Sequence, residues 1–166
     1  MTKATGAVYS VHFRRRREGK TDYAKRLALV KSGKTRLVIR KTNRFVTAQF
    51  VDYSEKGDVT IASASSRELQ KHGFAGKCNS PSAYLTAMLA GRRALKKGVK
   101  EFILDVGLQS ATKGGVVFAA LKGAVDAGLK TNFGEEKMPS AERIAGKHLN
   151  VDNNAFESAR SKIASV

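Results

Sequence analysis

The sequence holds a single cysteine in 166 residues. Cys78 has no intrachain partner, and a lone thiol points to a reducing compartment and a small filler role rather than a nucleophile. Long apolar runs are missing too. The longest, residues 116–121, falls far short of the ~20 residues that cross a bilayer. The opening Met-Thr-Lys-Ala-Thr leads into no apolar signal region, so a cytosolic protein is expected. His12, His72 and His148 lie far apart without partner cysteines, which argues against zinc. No repeat and no low-complexity segment is present.

Acidic residues are scarce where basic ones are dense. Fourteen of the 31 Lys and Arg residues fall in the first 44 positions, against two acids, Glu18 and Asp22, so this quarter carries +12 of the net +17. The stretch 12–44 reads H-F-R-R-R-R-E-G-K-T-D-Y-A-K-R-L-A-L-V-K-S-G-K-T-R-L-V-I-R-K-T-N-R. Such crowding calls for a polyanion, and nucleic acid is the first candidate. An anionic membrane surface is a poorer match, because residues 14–17 have no apolar face beside their charges.

Four consecutive arginines, Arg14, Arg15, Arg16 and Arg17, point about 100° apart on a helix, so no flat surface satisfies them all. A winding phosphate backbone does, and each guanidinium offers a bidentate fork. A disordered basic tail or a solvated face is the alternative. Tyr9, Phe13 and Tyr23 interleave with the charges and suit stacking on bases or sugars. Tyr23 also suits a place with its ring on the core and its hydroxyl at the rim.

The hydrophobic content of 42% supports a real core, and at this length roughly 70% of the unfolded surface can be buried. One domain with extensions is expected. Residues 1–11 read as an irregular arm. Thr21 is placed to cap a helix over 22–31, with Tyr23, Leu27 and Val30 as its apolar stripe, Lys25, Arg26 and Lys31 pointing elsewhere, and Gly33 as its stop. Residues 35–41, 45–53 and 59–64 read as strands of an antiparallel meander. Val46, Ala48 and Phe50 share one face of the second; Val59 and Ile61 share one face of the third. Ser65 to Glu68 fits a capping box for a short helix ended by Gly73.

Ser80 and Pro81 open a long helix to about residue 97, with Leu85, Met88, Leu89 and Leu95 inward and Ala87, Gly91 and Ala94 as a thin side. Residues 102–106 form a covered strand and 116–127 a helix. Short helices are expected from Ser140 to about His148 and from Asn154, with Phe156 and Ile163 inward. A meander followed by helix, strand and helix means α/β with a mixed sheet.

Four segments are similar to one family: R-R-R-R-E-G-K-T-D-Y (14–23), R-L-V-I-R-K-T-N-R (36–44), C-N-S-P-S-A-Y-L-T-A-M-L-A-G (78–91) and L-D-V-G-L-Q-S-A-T-K-G (104–114). Together they resemble the large-subunit ribosomal protein L-eighteen family of archaeal type, which binds 5S rRNA. The resemblance implies a ribonuclease H-like, three-layer α/β fold. Read from the chain itself, the expected parts are a basic N-terminal arm and helix (1–34), an α/β core (35–131) and a helical C-terminal extension (132–166).

The resemblance also implies a structural constituent of the large ribosomal subunit that helps attach 5S rRNA to 23S rRNA in the central protuberance, beside the L-five family protein. The first contact group it carries over is Arg14 to Arg17, Lys20, Thr21, Tyr23 and Arg26. The second is Arg36, Arg40, Thr42, Asn43 and Arg44, with Lys34 beside them. Lys113 and Gly114 stand where the bacterial family has a Gly-Arg pair near RNA, with lysine displaced by one position. No cofactor, metal or small-molecule substrate is expected.

Two rival classes are weighed. A metal-dependent nuclease on such a fold needs clustered carboxylates, one usually in the first strand. Here that strand holds Arg36, Arg40 and Lys41 but no acid, and Asp52, Asp58 and Asp105 are scattered along the chain. A basic DNA-bending protein lacks a recognisable DNA-reading helix. The loop 107–115 is not a nucleotide loop, since Thr112-Lys113-Gly114-Gly115 has the wrong order; RNA backbone contact and a plain turn both remain open for it.

Overall fold

Alternation in one strand decides which side of the sheet becomes the core. In the computed structural model, which describes residues 6–149 and 151–165, that strand is β2 (Val46–Asp52). Val46, Ala48 and Phe50 are fully buried on one face, and Thr47 and Gln49 are half-buried on the other. Its neighbours are β1 (Arg36–Lys41) and β3 (Val59–Ser65), both antiparallel to it. β4 (Ile103–Asp105) joins the other edge of β1 in parallel, with Leu37 opposite Leu104. The sheet order is β3-β2-β1-β4. Short turns serve the meander, whereas the parallel pair needs a helical crossover. The fold is therefore α/β with a mixed four-stranded sheet.

The inward face of β3 differs from the expectation. Phe50 pairs with Ala62 but Val51 pairs with Thr60, so Ile61 is the extra residue of a bulge. Ala62 and Ala64 are buried, Ile61 is half-buried, and Val59 is 56% exposed. The small alanines let a helix approach this edge. That helix also closes it: Arg93 Nη1 donates to the Ser63 carbonyl at 2.7 Å, and Lys97 Nζ donates to the Ile61 carbonyl. Covered carbonyls make a poor template for a foreign strand.

The crossover helix α3 (Ser80–Lys96) is the hub of the core. Thirteen of its 17 residues are buried. Asn79, not Ser80, is its cap, with Oδ1 accepting the Ser82 N–H at 3.0 Å. Ser80 instead becomes the first helical residue, where Pro81 follows it in the first turn and costs no hydrogen bond. Ahead of α3, the Ser65–Glu68 capping box forms as expected, but the helix it starts, Ser66–His72, is of 3-10 type and ends at left-handed Gly73. Partial burial opposes the Glu68 charge, but Arg93 and the Ser65 N–H outweigh it and hold the carboxyl below the usual glutamate range.

Helix α4 (Val116–Asp126) packs on α3 at very short range. A Cβ on Gly123 would stand 2.1 Å from the Tyr84 carbonyl oxygen, and one on Gly91 would stand 2.9 Å from Ala127 Cβ. The thin side expected of α3 thus has a counterpart, Gly123, that the pattern did not single out. The C-terminal residues add α5 (Ala141–Ala145) and α6 (Asn153–Ala164). Ser140 caps α5 as expected, but left-handed Gly146 stops it before His148. Asp152 caps α6, whose Phe156, Ala159 and Ile163 are buried in the same core as α3. Phe156 lies 5.8 Å from the Tyr84 ring and 6.3 Å from Phe74, centroid to centroid.

Gly123→Ala should destabilise the fold by about 1–3 kcal/mol through overpacking against backbone, read from urea unfolding. The Glu68 carboxylate contributes stability above the ordinary glutamate range and loses it as pH falls through its depressed value. Glu68→Gln should therefore lower the urea midpoint near neutrality and leave it almost unchanged at about pH 3.

Candidate nucleic-acid interface

The arginine run forms α1 (Arg14–Arg17), a single turn with no buried residue. The N–H groups of Arg16 and Arg17 both donate to the Phe13 carbonyl, at 2.9 and 3.1 Å. The run is thus a helical turn with all four arginines exposed. Gly19, at φ +62°, reverses the chain, and Arg15 Nε then donates to Thr21 Oγ1 at 2.9 Å. Glu18 sits among these cations, 2.8 Å from Lys20 Nζ and 3.7 Å from Arg14 Nε.

Helix α2 (Tyr23–Lys31) follows, capped by Asp22 rather than Thr21. Asp22 Oδ1 accepts the N–H groups of Ala24 and Lys25 at 3.1 and 3.2 Å. The Lys25 N–H is the chief cause holding this carboxyl below the usual aspartate range. A carboxylate is the stronger cap at a positive helix end, and it leaves Thr21 free for Arg15.

The apolar stripe of α2 is also not the expected one. Leu27 is 56% exposed, and none of the nine residues is fully buried. Tyr23, Leu29 and Val30 are half-buried, and the Tyr23 ring lies 5.1 Å from Phe13, centroid to centroid, tilted by 53°. Arg26 does not point away: its Nη2 donates to Asp58 Oδ2 at 2.9 Å. The reason lies underneath. The sheet face that α2 meets carries buried Val38 and Val51 but also buried charge, and the helix turns a cation toward that charge.

That outer face centres on Arg36, which is only 3% exposed. Its Nη1 lies 3.3 Å from Asp105 Oδ2 and its Nη2 2.7 Å from Asp58 Oδ2. The second contact is off the hydrogen-bond line; Arg26 takes the aligned position on the same oxygen. Asp105 Oδ1 accepts the Gly107 N–H at 2.9 Å. The carboxylates of Asp58 and Asp105, far apart in sequence, thus converge on a guanidinium. Among the described residues no group of three His, Cys, Asp or Glu comes together in metal-holding geometry, and no helix is long and apolar enough to cross a membrane.

Between α2 and this face runs a cleft of about 280 Å³. Of the residues singled out in the sequence, Arg15, Lys20, Thr21, Arg26, Arg36 and Arg40 line it, joined by Lys25. Arg36 is enclosed by its carboxylates. Arg15, Lys20, Lys25 and Arg40 are exposed, although Arg40 Nη1 donates to the Ile39 carbonyl at 3.1 Å. Exposed ion pairs are worth about 0–1 kcal/mol, so the local partners of Lys20 and Lys25 yield readily to a phosphate.

The remaining sequence-predicted residues lie outside the cleft. Lys34 Nζ is 3.0 Å from Glu101 Oε2 and holds that carboxyl below its usual range. Thr42 shapes the β1–β2 turn, its Oγ1 bonding both the N–H and the carbonyl of Phe45 at 3.0 Å. Asn43 and Arg44 are exposed at that turn and border a second depression, of about 1030 Å³, with Lys77, Cys78 and Leu149. Burial pushes the Cys78 thiol up, despite nearby Lys41. Lys113 is exposed, and left-handed Gly114 donates its N–H to the Lys137 carbonyl at 3.0 Å.

What the sequence missed is Lys25 and the acids that organise the arginines. Asp105 carried a signal, since it lies at a strand end where a partner can sit. Asp58 carried none, because its partners, Arg36 and Arg26, lie 22 and 32 positions back on other elements.

An α/β sheet with one apolar face, and a cationic helix–turn–helix on the other, describes an RNA- or phosphate-facing module rather than an enzyme pocket. Comparison with known proteins makes the assignment specific. A family model described as "Ribosomal large subunit proteins 60S L5, and 50S L18" matches residues 7–102 and 98–134. The large ribosomal subunit protein uL18 of Methanobrevibacter smithii is 54% identical over 147 residues, 88% of this chain and 76% of the relative. The uL18 proteins of Caldivirga maquilingensis and Methanococcus maripaludis are 55% and 53% identical over the same 88% of this chain, covering 72% and 76% of their own lengths. The chain belongs to this ribosomal protein family, in its archaeal form.

Arg36→Ala strips two carboxylates of their buried partner and should cost about 3–5 kcal/mol. Urea unfolding followed by circular dichroism measures it.

Proposed function

We propose that this chain is a non-enzymatic, structural constituent of the large ribosomal subunit in the cytoplasm. It binds 5S rRNA and helps attach it to 23S rRNA in the central protuberance, beside the L-five family protein. One observation carries the reading: an exposed arginine turn opens onto a cleft edged by Arg15, Lys20, Lys25 and Arg40, in a chain whose relatives are named as large-subunit proteins. Backbone phosphates are what such a rim grips, and their spacing supplies shape rather than base readout. Arg14, Arg16 and Arg17 extend the grip along the strand, and Tyr23 stands at its edge. Arg44, Asn43, Lys34 and Lys113 serve as outlying contacts. The meander followed by helix, parallel strand and helix supports a ribonuclease H-like arrangement as the mount.

With ~6–10 phosphate contacts, affinity for 5S rRNA should fall roughly 10³–10⁵-fold between 50 and 200 mM salt. Gel shifts with 5S rRNA and a tRNA should show a clear preference for the former; equal affinity refutes the specific reading. Replacing Arg14 to Arg17 with alanine should flatten the log–log salt slope by roughly 0.7–0.9 for each arginine on a phosphate.

A further inference from the structure

We infer that Asp58 is a positioning residue for RNA binding: it pins α2, and with it the arginine turn, to the outer face of the sheet. The inference rests on the rRNA-binding reading and adds to it the residue that presets the cationic surface.

Helix α2 has little apolar burial to hold it, since none of its nine residues is buried. Its mid-helix Arg26 reaches the sheet instead. Asp58 Oδ2 takes Arg26 Nη2 at 2.9 Å and Arg36 Nη2 at 2.7 Å. Arg36 is itself immobile, on an interior strand, 3% exposed and held from the other side by Asp105. The helix is thereby tied through one carboxylate to a buried cation of the sheet. Arg15 extends the tie to α1 through Thr21, and the Lys20 N–H donates to the Arg15 carbonyl at 2.8 Å. The tilted Phe13–Tyr23 ring contact adds a second link between the two helices.

Without Asp58, two guanidiniums would face each other across the cleft. Like charges at such range repel, and the exposed one, on α2, is the one able to move away. The arginine turn would then lose its fixed direction, and each lost constraint is paid at binding.

This role has a sign opposite to simple electrostatics. Asp58 is an anion inside a surface meant for a polyanion. On charge alone, Asp58→Asn raises the net charge by one and should tighten every RNA. As a positioning residue, its loss should weaken 5S rRNA while leaving tRNA binding unchanged or slightly tighter.

The test compares wild type, Asp58→Asn and Asp58→Glu as full chains in filter binding with 5S rRNA and tRNA at one salt concentration. Hydrogen exchange of the α2 and β1 amides is followed alongside. The expected result is about a tenfold fall in the 5S-to-tRNA preference for Asp58→Asn, faster exchange confined to α2, and partial recovery in Asp58→Glu. An Asp58→Asn protein that binds 5S rRNA as tightly as wild type, or more tightly, overturns the inference. If wild type itself does not distinguish the two RNAs, the rRNA reading fails, and the α2 exchange alone decides the anchoring. Should Asp58→Asn not fold, Arg26→Met cuts the same tie from the helix side and spares the Arg36–Asp105 pair. Its α2 amides must then exchange faster while those of β1 stay protected; unchanged α2 exchange overturns the anchoring.

Discussion

A guanidinium taken out of water must meet negative charge, or it destabilises everything around it. Arg36 sits on strand β1 in the interior of the sheet with almost no exposure, and the outer face is arranged to satisfy it. Asp105 comes from the end of β4 and Asp58 from the loop before β3. Those two segments are separated by α3, so the ion cluster closes only once the parallel strand is in place. Arg26 then docks on the same carboxylate and brings the N-terminal helices with it.

The two faces of the sheet are stabilised by different physics. On the inner face Leu37, Ile39, Val46 and Phe50 pack against α3, and α3 against α4 with glycine at the closest approach. That side is dense, dry and intolerant of added volume. The outer face combines buried Val38 and Val51 with the Arg36 ion cluster, beneath a cleft that opens to solvent. A rigid apolar side serves as the mount, and a polar side offers cations whose local partners are weak enough to exchange for phosphate.

Much of this was legible in advance. Alternation in β2, the capping box at Ser65 and the left-handed glycines at 33 and 73 are local signals, and they formed as expected. The errors share one cause. Thr21 and Ser80 are reasonable caps, but Asp22 and Asn79, one residue away, make the better bond. Val59 and Ile61 looked inward on strict alternation, which the bulge at Phe50 and Val51 interrupts. Leu27 looked inward on helical periodicity, yet α2 turns Arg26 toward the ion cluster and leaves Leu27 exposed.

By itself the sequence determined the element types, the amphipathic split of the central strands and the crowding of positive charge into the first quarter, because each depends on neighbours a few residues apart. Which arginines are surface cations and which are structural was decided only by tertiary contact. Arg36 and Arg40 look alike in R-L-V-I-R, four residues apart on the same face of one strand. One meets Asp58 and Asp105 in the folded protein and the other reaches solvent. A charge takes its role from the dielectric and the counter-charges around it, and those come from segments distant in the chain.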